Sequence, residues 1–233
     1  MILVLAGTSE GREAAARLAK EGLPVMASTA TGYGGELLSR SFGGKIITGP
    51  LQLEDIARVI KDYQVKKVID ATHPFALEIT ENARRACSEG GIAYERLERP
   101  ALVFEPGEGI ITARDTEEAV QIAAATEGII FLAIGSNKLE YFASVIDPGR
   151  LVVRILPLEK SLEKCFDYGI LPDNIIAMQG PFDEELNYML FKRYRASLVI
   201  SKESGPAGGT AEKISAARKL SIPLVLISRP ANK

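Results

Sequence analysis

The opening eighteen residues, MILVLAGTSEGREAAARL, restrict the possible folds more than any other stretch of the chain. Five apolar residues, from Ile2 to Ala6, precede a turn of small residues, and alanine and leucine then recur at helical spacing. This pattern predicts a buried parallel strand, a tight turn and a helix. Thr8 or Ser9 is a suitable N-cap, and Glu10 lies in the first turn, where the helix dipole favours an acid.

Such a turn places the backbone N–H groups of a helix N-terminus at the end of a strand, which suits a phosphate. The spacing differs from the dinucleotide fingerprint, because Ala6 and Thr8 stand at the first two glycine positions when Gly11 is taken as the third. The hydroxyls of Thr8 and Ser9 would add side-chain donors. Two interpretations are open: a phosphate site over Gly7 to Gly11, or an ordinary first turn of an α/β domain.

The second predicted strand, Leu23 to Ser28, ends in hydroxyl residues rather than in an acid. An acid there would bind the free ribose hydroxyls of NAD, so Ser28 and Thr29 favour NADP, with an ordinary loop start as the alternative. The glycines that follow, from Gly32 to Gly35, predict a mobile or tightly turned loop.

A further predicted strand, Val65 to Ala71, continues into Thr72, His73 and Pro74. We expect Pro74 at the first position of the next helix. Because ligands of open α/β sheets bind at the carboxyl ends of strands, Asp70, Thr72 and His73 are candidate site residues. The alternative for His73, the only histidine in the sequence, is a turn residue bonded to the backbone.

Strand and helix patterns alternate again beyond Arg99-Pro100, which predicts two α/β domains, 1–99 and 100–233. In the second domain, turns rich in small residues follow the predicted strands. They lie at Gly135-Ser136, at Gly180-Pro181-Phe182 and between Lys202 and Gly209. The second domain thus repeats the strand, turn and helix order of the first.

Composition argues against several classes of function. No apolar run approaches the ~20 residues of a membrane span, and no signal peptide is visible, so we expect a cytoplasmic protein that does not bind membranes. Cys87 and Cys165 are isolated, which with a single histidine argues against a zinc site or any other metal site. The net charge of −2 argues against nucleic acid as a partner.

Seven stretches of the sequence carry a resemblance to a known family. They are LAGTSEGR at 5–12, STATGYGGELL at 28–38, DATHPFA at 70–76, RLERP at 96–100, IGSNKLEYF at 134–142, IIAMQGPFDEELN at 175–187 and SKESGPAGGTAEKISAARKLSIPLVLISRP at 201–230. Together and in this order they resemble the precorrin-6A reductase family of cobalamin biosynthesis, including its cobalt-precorrin-6A branch.

The resemblance implies two Rossmann-like domains with parallel sheets and an active site in the cleft between them. It implies hydride transfer from NADPH or NADH to a ring-D double bond of a tetrapyrrole that bears many carboxylates. Some members carry an arginine after the second strand, whereas this chain has no basic residue there before Arg40, so both cofactors remain candidates. The candidate cofactor-binding residues are Gly7, Thr8, Ser9, Glu10, Gly11, Ser28, Thr29, Thr72, Gly135 and Ser136.

Hydride transfer needs no protein nucleophile, but a proton must reach the neighbouring carbon. Candidate donors are His73, Asp70, Glu203 and water, of which we take His73 and Asp70 as the catalytic candidates. The candidate substrate-binding residues are Gly180, Pro181, Phe182, Lys202, Glu203, Ser204, Gly208, Gly209 and Lys213. The two lysines would hold carboxylates, and the alternative is that both are solvated.

We expect a monomer or a weak homo-oligomer. Two other functions stay open from the sequence: a non-catalytic dinucleotide-binding module, and a reductase of another substrate. A non-catalytic module would need the first turn but not the further glycine turns of the second domain.

Overall fold

The computed structural model describes residues 1–98 and 109–230. These residues form two compact units, one on each side of the segment 99–108, which we call unit 1 and unit 2. The domain boundary predicted at Arg99 lies outside the described residues. No helix in the described ranges has the length and apolar character needed to span a membrane.

Unit 1 is a parallel sheet with helices between successive strands. Its elements are β1 (Ile2–Leu5), α1 (Ser9–Lys20), β2 (Val25–Thr29), α2 (Gly32–Ser39), β3 (Lys45–Thr48), α3 (Leu53–Asp62), β4 (Lys67–Asp70), α4 (Leu77–Gly90) and β5 (Ala93–Arg96). The strand order is β3-β2-β1-β4-β5, and every pair is parallel. Buried residues such as Leu3, Met26 and Ile56 form the core under this sheet.

The order of strands in unit 1 reverses between β1 and β4. The chain builds outward from β1 to β3 and then returns to place β4 on the other side of β1, with Leu5 opposite Asp70. Helices that follow adjacent strands at such a point diverge to opposite faces and leave a crevice at the carboxyl edge, where ligands bind. The residues after β1 and after β4 therefore meet at one edge.

Unit 2 is a second parallel sheet. Its elements are β6 (Ile110–Ala113), α5 (Thr116–Ala124), β7 (Ile129–Ala133), α6 (Leu139–Ala143), β8 (Leu151–Ile155), α7 (Glu159–Asp167), β9 (Ile175–Ala177), α8 (Glu184–Arg193), β10 (Ala196–Lys202), α9 (Thr210–Lys219) and β11 (Leu224–Ile227). The order is β6-β11-β10-β7-β8-β9, again with parallel pairs, so the reversal lies between β7 and β10. The predicted fold class, two parallel α/β sheets, is confirmed.

Two local predictions are wrong. The expected loop over Gly32 to Gly35 is the start of α2, because these glycines let the helix approach the sheet: a Cβ atom on Gly35 would stand 2.5 Å from Cγ2 of Thr48. Pro74 does not begin a helix. The amide of Ala76 donates to the carbonyl of His73 and closes a turn, and α4 begins only at Leu77.

Candidate active site

The turn after β1 is built around Thr8. Its Oγ1 accepts from the amide of Gly11 at 3.2 Å, which confirms Thr8 as the N-cap of α1, and donates to the carbonyl of Ala71 at 2.9 Å. The hydroxyl of Thr8 has one proton, and its hydrogen bond to Ala71 links the turn after β1 to the turn after β4. Thr8 thus ties the two turns together, and its contact with phosphate stays a prediction.

Gly11 allows α1 to lie close to the sheet. A Cβ atom at this position would stand 2.8 Å from Cα of Ala6 and 3.0 Å from Cβ of Ala71. The third glycine of the dinucleotide fingerprint has this same packing function. Gly11 is buried and its amide donates to Thr8, so the structure gives it a packing function, and its contact with phosphate stays a prediction.

Gly7 is the exposed residue at the centre of this turn. A Cβ atom on Gly7 would lie 3.5 Å from Cα of Thr72, so the turns after β1 and β4 are in contact, as predicted. The first amides of α1 have no acceptor one turn earlier within the helix, which makes the helix start a binding surface for an anion. Ser9 and Glu10 stand in this first turn and are partly exposed.

Asp70 ends β4 and is fully buried. Its Oδ1 accepts from the amide and hydroxyl of Thr72, at 3.0 and 2.7 Å, and lies 2.6 Å from Nη1 of Arg96. Its Oδ2 accepts from the hydroxyl of Tyr94 at 2.9 Å. Burial, reinforced by the charge of Asp70, raises the pKa of Tyr94, so this hydroxyl stays protonated as a donor.

This network gives Asp70 a structural function, and its predicted catalytic function stays a prediction. Asp70 has no exposed surface, and both of its oxygens accept hydrogen bonds. Asp70 is a positioning residue for Thr72. Sequence reasoning missed Tyr94 and Arg96, although their spacing of two along β5 places both side chains on one face of the sheet.

His73 follows Thr72 and is half-buried. Its Nδ1 accepts from the amide of Phe75 at 3.3 Å, and the two rings lie 5.7 Å apart between centroids. With Nδ1 as an acceptor, the neutral imidazole carries its proton on Nε2. This arrangement fits the turn function that the sequence left open. Proton donation would use the imidazolium form, in which Nδ1 also carries a proton and no longer accepts from the amide of Phe75.

Ser28 and Thr29 are the last residues of β2 and are both buried. The carbonyl of Ser28 accepts from the amide of Ala6 at 2.8 Å, and the hydroxyl of Thr29 donates to the carbonyl of Thr31 at 3.1 Å. The carboxyl end of β2 therefore lies next to the Gly7 turn, because β2 is the neighbour of β1 on the side away from β4. The first basic residue after β2 is Arg40, at the far end of α2.

The carboxyl edge of unit 2 joins β7 to β10. Nζ of Lys202 donates to the carbonyl of Ile134 at 3.0 Å, and burial, followed by the charge of Lys138, lowers its pKa. Gly135 follows with a positive φ of 75°, which favours glycine, and Ser136 continues the turn. Lys202 is therefore a half-buried link between strand ends rather than the solvated lysine of the alternative interpretation.

Glu203 shapes the loop after β10. Its Oε1 accepts from the amide of Gly205 at 3.2 Å and from Nη2 of Arg229 at 3.1 Å, and its Oε2 forms an ion pair with Nε of the same arginine. The amide of Ser204 donates to Oγ1 of Thr210 at 3.2 Å. Glu203 is buried and engaged in these contacts, so the structure favours a loop-forming function over proton donation.

Lys213 lies in the first turn of α9 and is 6% exposed. Its Nζ donates to the carbonyl of Gly208 at 2.9 Å. Burial, with the nearby charge of Arg154, lowers its pKa to about 7, against a smaller opposing effect of Glu212. The alternative that Lys213 is solvated is thus wrong, and so is the idea that it makes exposed contacts.

Arg154, on β8, is the second buried cation of this region. Its Nη1 donates to Oδ1 of Asn187 at 2.8 Å, and its guanidinium carbon lies 4.3 Å from the ring centroid of Phe182. Burial lowers its pKa to about 10. The carbonyl of Phe182 in turn accepts from Asn187 and approaches Gly209. The predicted residues Phe182, Gly208, Gly209 and Lys213 therefore come together around Arg154.

The described residues contain no group of three or more His, Cys, Asp and Glu side chains arranged to hold a metal ion. The carboxyl edges of the two sheets differ in the groups that a ligand could contact. The edge of unit 1 has an exposed glycine turn at a helix start, and the edge of unit 2 has buried cations beside a loop of small residues. The first suits a dinucleotide phosphate and the second suits carboxylates.

Comparison with known proteins identifies the family. The family model described as precorrin-6x reductase CbiJ/CobK matches residues 1–233. The cobalt-precorrin-6A reductase of Methanothermobacter thermautotrophicus is 39% identical over 235 residues, which cover 98% of this chain and 76% of that protein. The cobalt-precorrin-6A reductase of Priestia megaterium is 38% identical over 233 residues, with 99% and 91% covered.

A solved structure agrees with these relatives. A CobK precorrin-6A reductase superimposes with a TM-score of 0.80 at 29% identity, covering 100% of this chain and 89% of the other. The match in sequence extends over the full chain, and the match in structure includes both parallel sheets. The chain belongs to the precorrin-6x reductase family.

Proposed function

We propose that this protein reduces precorrin-6A or cobalt-precorrin-6A in cobalamin biosynthesis, as an oxidoreductase that acts on a CH–CH group. The observation that carries the proposal is the full-length family match, together with a glycine turn and helix start at the strand-order reversal of unit 1. The cobalt form is the favoured substrate, because both relatives described above are named for it.

Unit 1 would hold the nicotinamide cofactor. Gly7 has no side chain to block approach to the backbone, Thr8 fixes the start of α1, and Gly11 brings that helix close to β1. The amides of the first turn, including those of Ser9 and Glu10, would face the phosphates. When bound, a reduced nicotinamide supplies the hydride, so the protein needs to supply orientation rather than a nucleophile.

NADPH and NADH are distinguished by the 2′-phosphate. Ser28 and Thr29 end β2 without the acid that would favour NADH, whereas the stretch between β2 and Arg40 has no basic residue for the extra phosphate. Titration of the purified protein with each nucleotide tests this choice. We expect tighter binding of NADPH, because β2 ends without the carboxylate that would repel a 2′-phosphate.

Unit 2 would hold the substrate. A tetrapyrrole bearing many carboxylates is a polyanion, and the net charge of −2 gives no overall attraction, so the attraction must be local. Lys213 and Arg154 supply two buried positive charges beside the flexible-backbone residues Gly208 and Gly209. A carboxylate at this cluster would offset the unfavourable burial of both cations.

The proton required at the neighbouring carbon would come from His73 or from water. His73 stands at the same edge as Thr72 and would donate from its imidazolium form, in which Nδ1 releases the amide of Phe75, whereas Asp70 and Glu203 are engaged in ion pairs. The protein would work as a monomer or a weak homo-oligomer in the cytoplasm, where the buried thiols of Cys87 and Cys165 stay reduced.

The assay that tests the proposal follows oxidation of the nucleotide by the purified protein, with and without precorrin-6A or its cobalt complex. Oxidation that requires either tetrapyrrole supports the reductase. A non-catalytic binding module would bind nucleotide but not oxidise it, and a reductase of another substrate would oxidise it only with a different acceptor.

A further inference from the structure

Arg96 makes three polar contacts with the carboxyl end of β4. It is the last residue of β5 and lies opposite Asp70 in the register. Its Nη1 donates to Oγ1 of Thr72 at 2.8 Å and lies 2.6 Å from Oδ1 of Asp70, while its Nη2 donates to the carbonyl of Thr72 at 3.2 Å. The planar guanidinium thus holds both the side chain and the backbone of Thr72.

The environment of this arginine differs from that of an ordinary surface pair. The Arg96 side chain is 14% exposed and its partner Asp70 is fully buried, so the pair is weakly screened by solvent. The same two strands carry another ion pair, between Lys67 and Glu95, whose side chains are 37% and 51% exposed. Only the pair at the carboxyl edge, next to the candidate cofactor site, is buried.

Thr72 transmits this contact to the glycine turn. Cα of Thr72 lies 3.5 Å from where a Cβ atom of Gly7 would stand, so any movement of Thr72 alters the surface beside Gly7. We propose that Arg96 is a positioning residue for the dinucleotide: it holds Thr72 against the Gly7 turn and thereby sets the affinity of unit 1 for the cofactor. The inference rests on the proposed function, which places the cofactor at this turn.

Unit 2 contains an independent example of the same arrangement. Arg229 follows β11, the neighbour of β10, and pairs with the buried Glu203 that follows β10. In both units an arginine from the adjacent strand thus holds an acid beside the strand-order reversal. If each ion pair positions only the binding residues of its own unit, a change at Arg96 affects the affinity for the cofactor. A change at Arg229 then affects the KM for the tetrapyrrole.

The test measures the dissociation constant for NADPH by fluorescence titration of the full chain. Arg96→Lys keeps the charge but loses the planar fork, and we expect it to weaken NADPH binding by about tenfold, with kcat at saturating cofactor nearly unchanged. Lys67→Gln, which breaks the exposed pair on the same strands, is the matched control and should leave the dissociation constant as it is. Arg229→Lys should also leave it unchanged.

A double-mutant cycle tests whether Arg96 acts through Thr72. The Thr72→Val background removes the contact of Arg96 with Oγ1 and keeps the contact with the Thr72 carbonyl. In this background Arg96→Lys should weaken NADPH binding by clearly less than tenfold, because one of the contacts that it weakens is already absent. If Arg96→Lys does not fold, the double variant Arg96→Met/Asp70→Asn is titrated in its place. This double variant removes both charges of the ion pair, so no unpaired charge stays buried.

Three results would separate the possible failures. A folded Arg96→Lys protein with the wild-type dissociation constant overturns the inference, and so does a full tenfold effect in the Thr72→Val background. Failure of the wild-type protein to bind either nucleotide overturns the proposed function itself. Weaker binding in Arg96→Lys, with binding retained in Lys67→Gln, supports both.

Discussion

Gly11 lies against the backbone of Ala6, the first residue after β1. A Cβ atom on Gly11 would stand only 2.8 Å from Cα of Ala6. Helix α1 can reach the sheet because this position lacks a side chain. The contact places the start of α1 beside the Gly7 turn, which makes it a condition for the candidate cofactor site rather than part of the phosphate contact.

Gly11→Ala should therefore destabilise the fold. Overpacking of this kind typically lowers the free energy of unfolding by ~1–3 kcal/mol. Urea unfolding of the variant measures the loss. Gly32→Ala is the matched control, because a Cβ atom on Gly32 meets no heavy atom within 4 Å, and it should be nearly neutral. Equal stability of Gly11→Ala and the wild type would contradict the packing function.

Gly7→Val should weaken cofactor binding while the fold is retained. Gly7 is exposed, and its Cβ position is in ordinary contact distance of Thr72, so the substitution is tolerated locally but covers the backbone that the phosphates would approach. We expect at least about a tenfold rise in the NADPH dissociation constant, equivalent to ~1.4 kcal/mol. An unchanged dissociation constant in a folded variant would remove this turn from the cofactor site.

The stability of the protein should depend on pH through Lys213. Its pKa is lowered from 10.5 to about 7 by burial, so between these values the unfolded chain binds a proton that the folded protein does not. Stability rises with pH wherever the unfolded state binds more protons. The free energy of unfolding of the wild type minus that of Lys213→Met should thus rise from pH 7 towards pH 10. A flat difference would show that Lys213 is charged throughout this range.

Lys213→Gln should raise the KM for the tetrapyrrole modestly and leave kcat nearly intact, as expected for loss of uniform binding. In the wild type the KM should rise as pH increases above about 7, because the lysine then loses its charge, and this rise should be absent in the variant. Lys219→Gln, an exposed lysine on the same helix, is the control.

The burial of Lys213 also predicts how the KM for the tetrapyrrole depends on salt. Exposed lysines would lose their attraction for carboxylates as salt is added, whereas a buried charge is screened much less. The KM should therefore respond weakly to salt. A strong salt response, equal in wild type and Lys213→Gln, would place the carboxylates at exposed residues elsewhere.

His73→Ala should slow turnover without abolishing it if His73 donates the proton. Positioned acid–base groups typically contribute ~10²–10⁴ in rate, whereas hydride transfer itself needs no protein acid. The pH profile of kcat should lose one ionisation in the variant. A wild-type rate with an unchanged profile would leave water as the donor.

Local patterns allowed much of the fold to be predicted. Strand β1 lies within the apolar run from Ile2 to Ala6, Thr8 is the N-cap, and the parallel order follows from alternating strands and helices. The loop predicted over Gly32 to Gly35 is a helix because those glycines pack against Thr48, a contact between residues that are distant in sequence. Propensity alone cannot reveal such a contact.

The site was harder to predict for the same reason. Asp70, Thr72 and His73 could be placed at a strand end from the sequence, but the pairing of Asp70 with Arg96 depends on β5 lying next to β4. The burial of Lys213 likewise depends on how α9 packs over its sheet. Residue type suggested a solvated lysine, and tertiary structure decided otherwise.

The most direct test of the account is a single reaction of purified protein with NADPH and cobalt-precorrin-6A, followed by absorbance of the nucleotide and mass spectrometry of the tetrapyrrole. The account predicts that NADPH is oxidised only when tetrapyrrole is present, with one nucleotide consumed per product, and that the product gains one hydride and one proton. Binding of both compounds without oxidation of either NADPH or NADH, with precorrin-6A as well as with its cobalt complex, would contradict it.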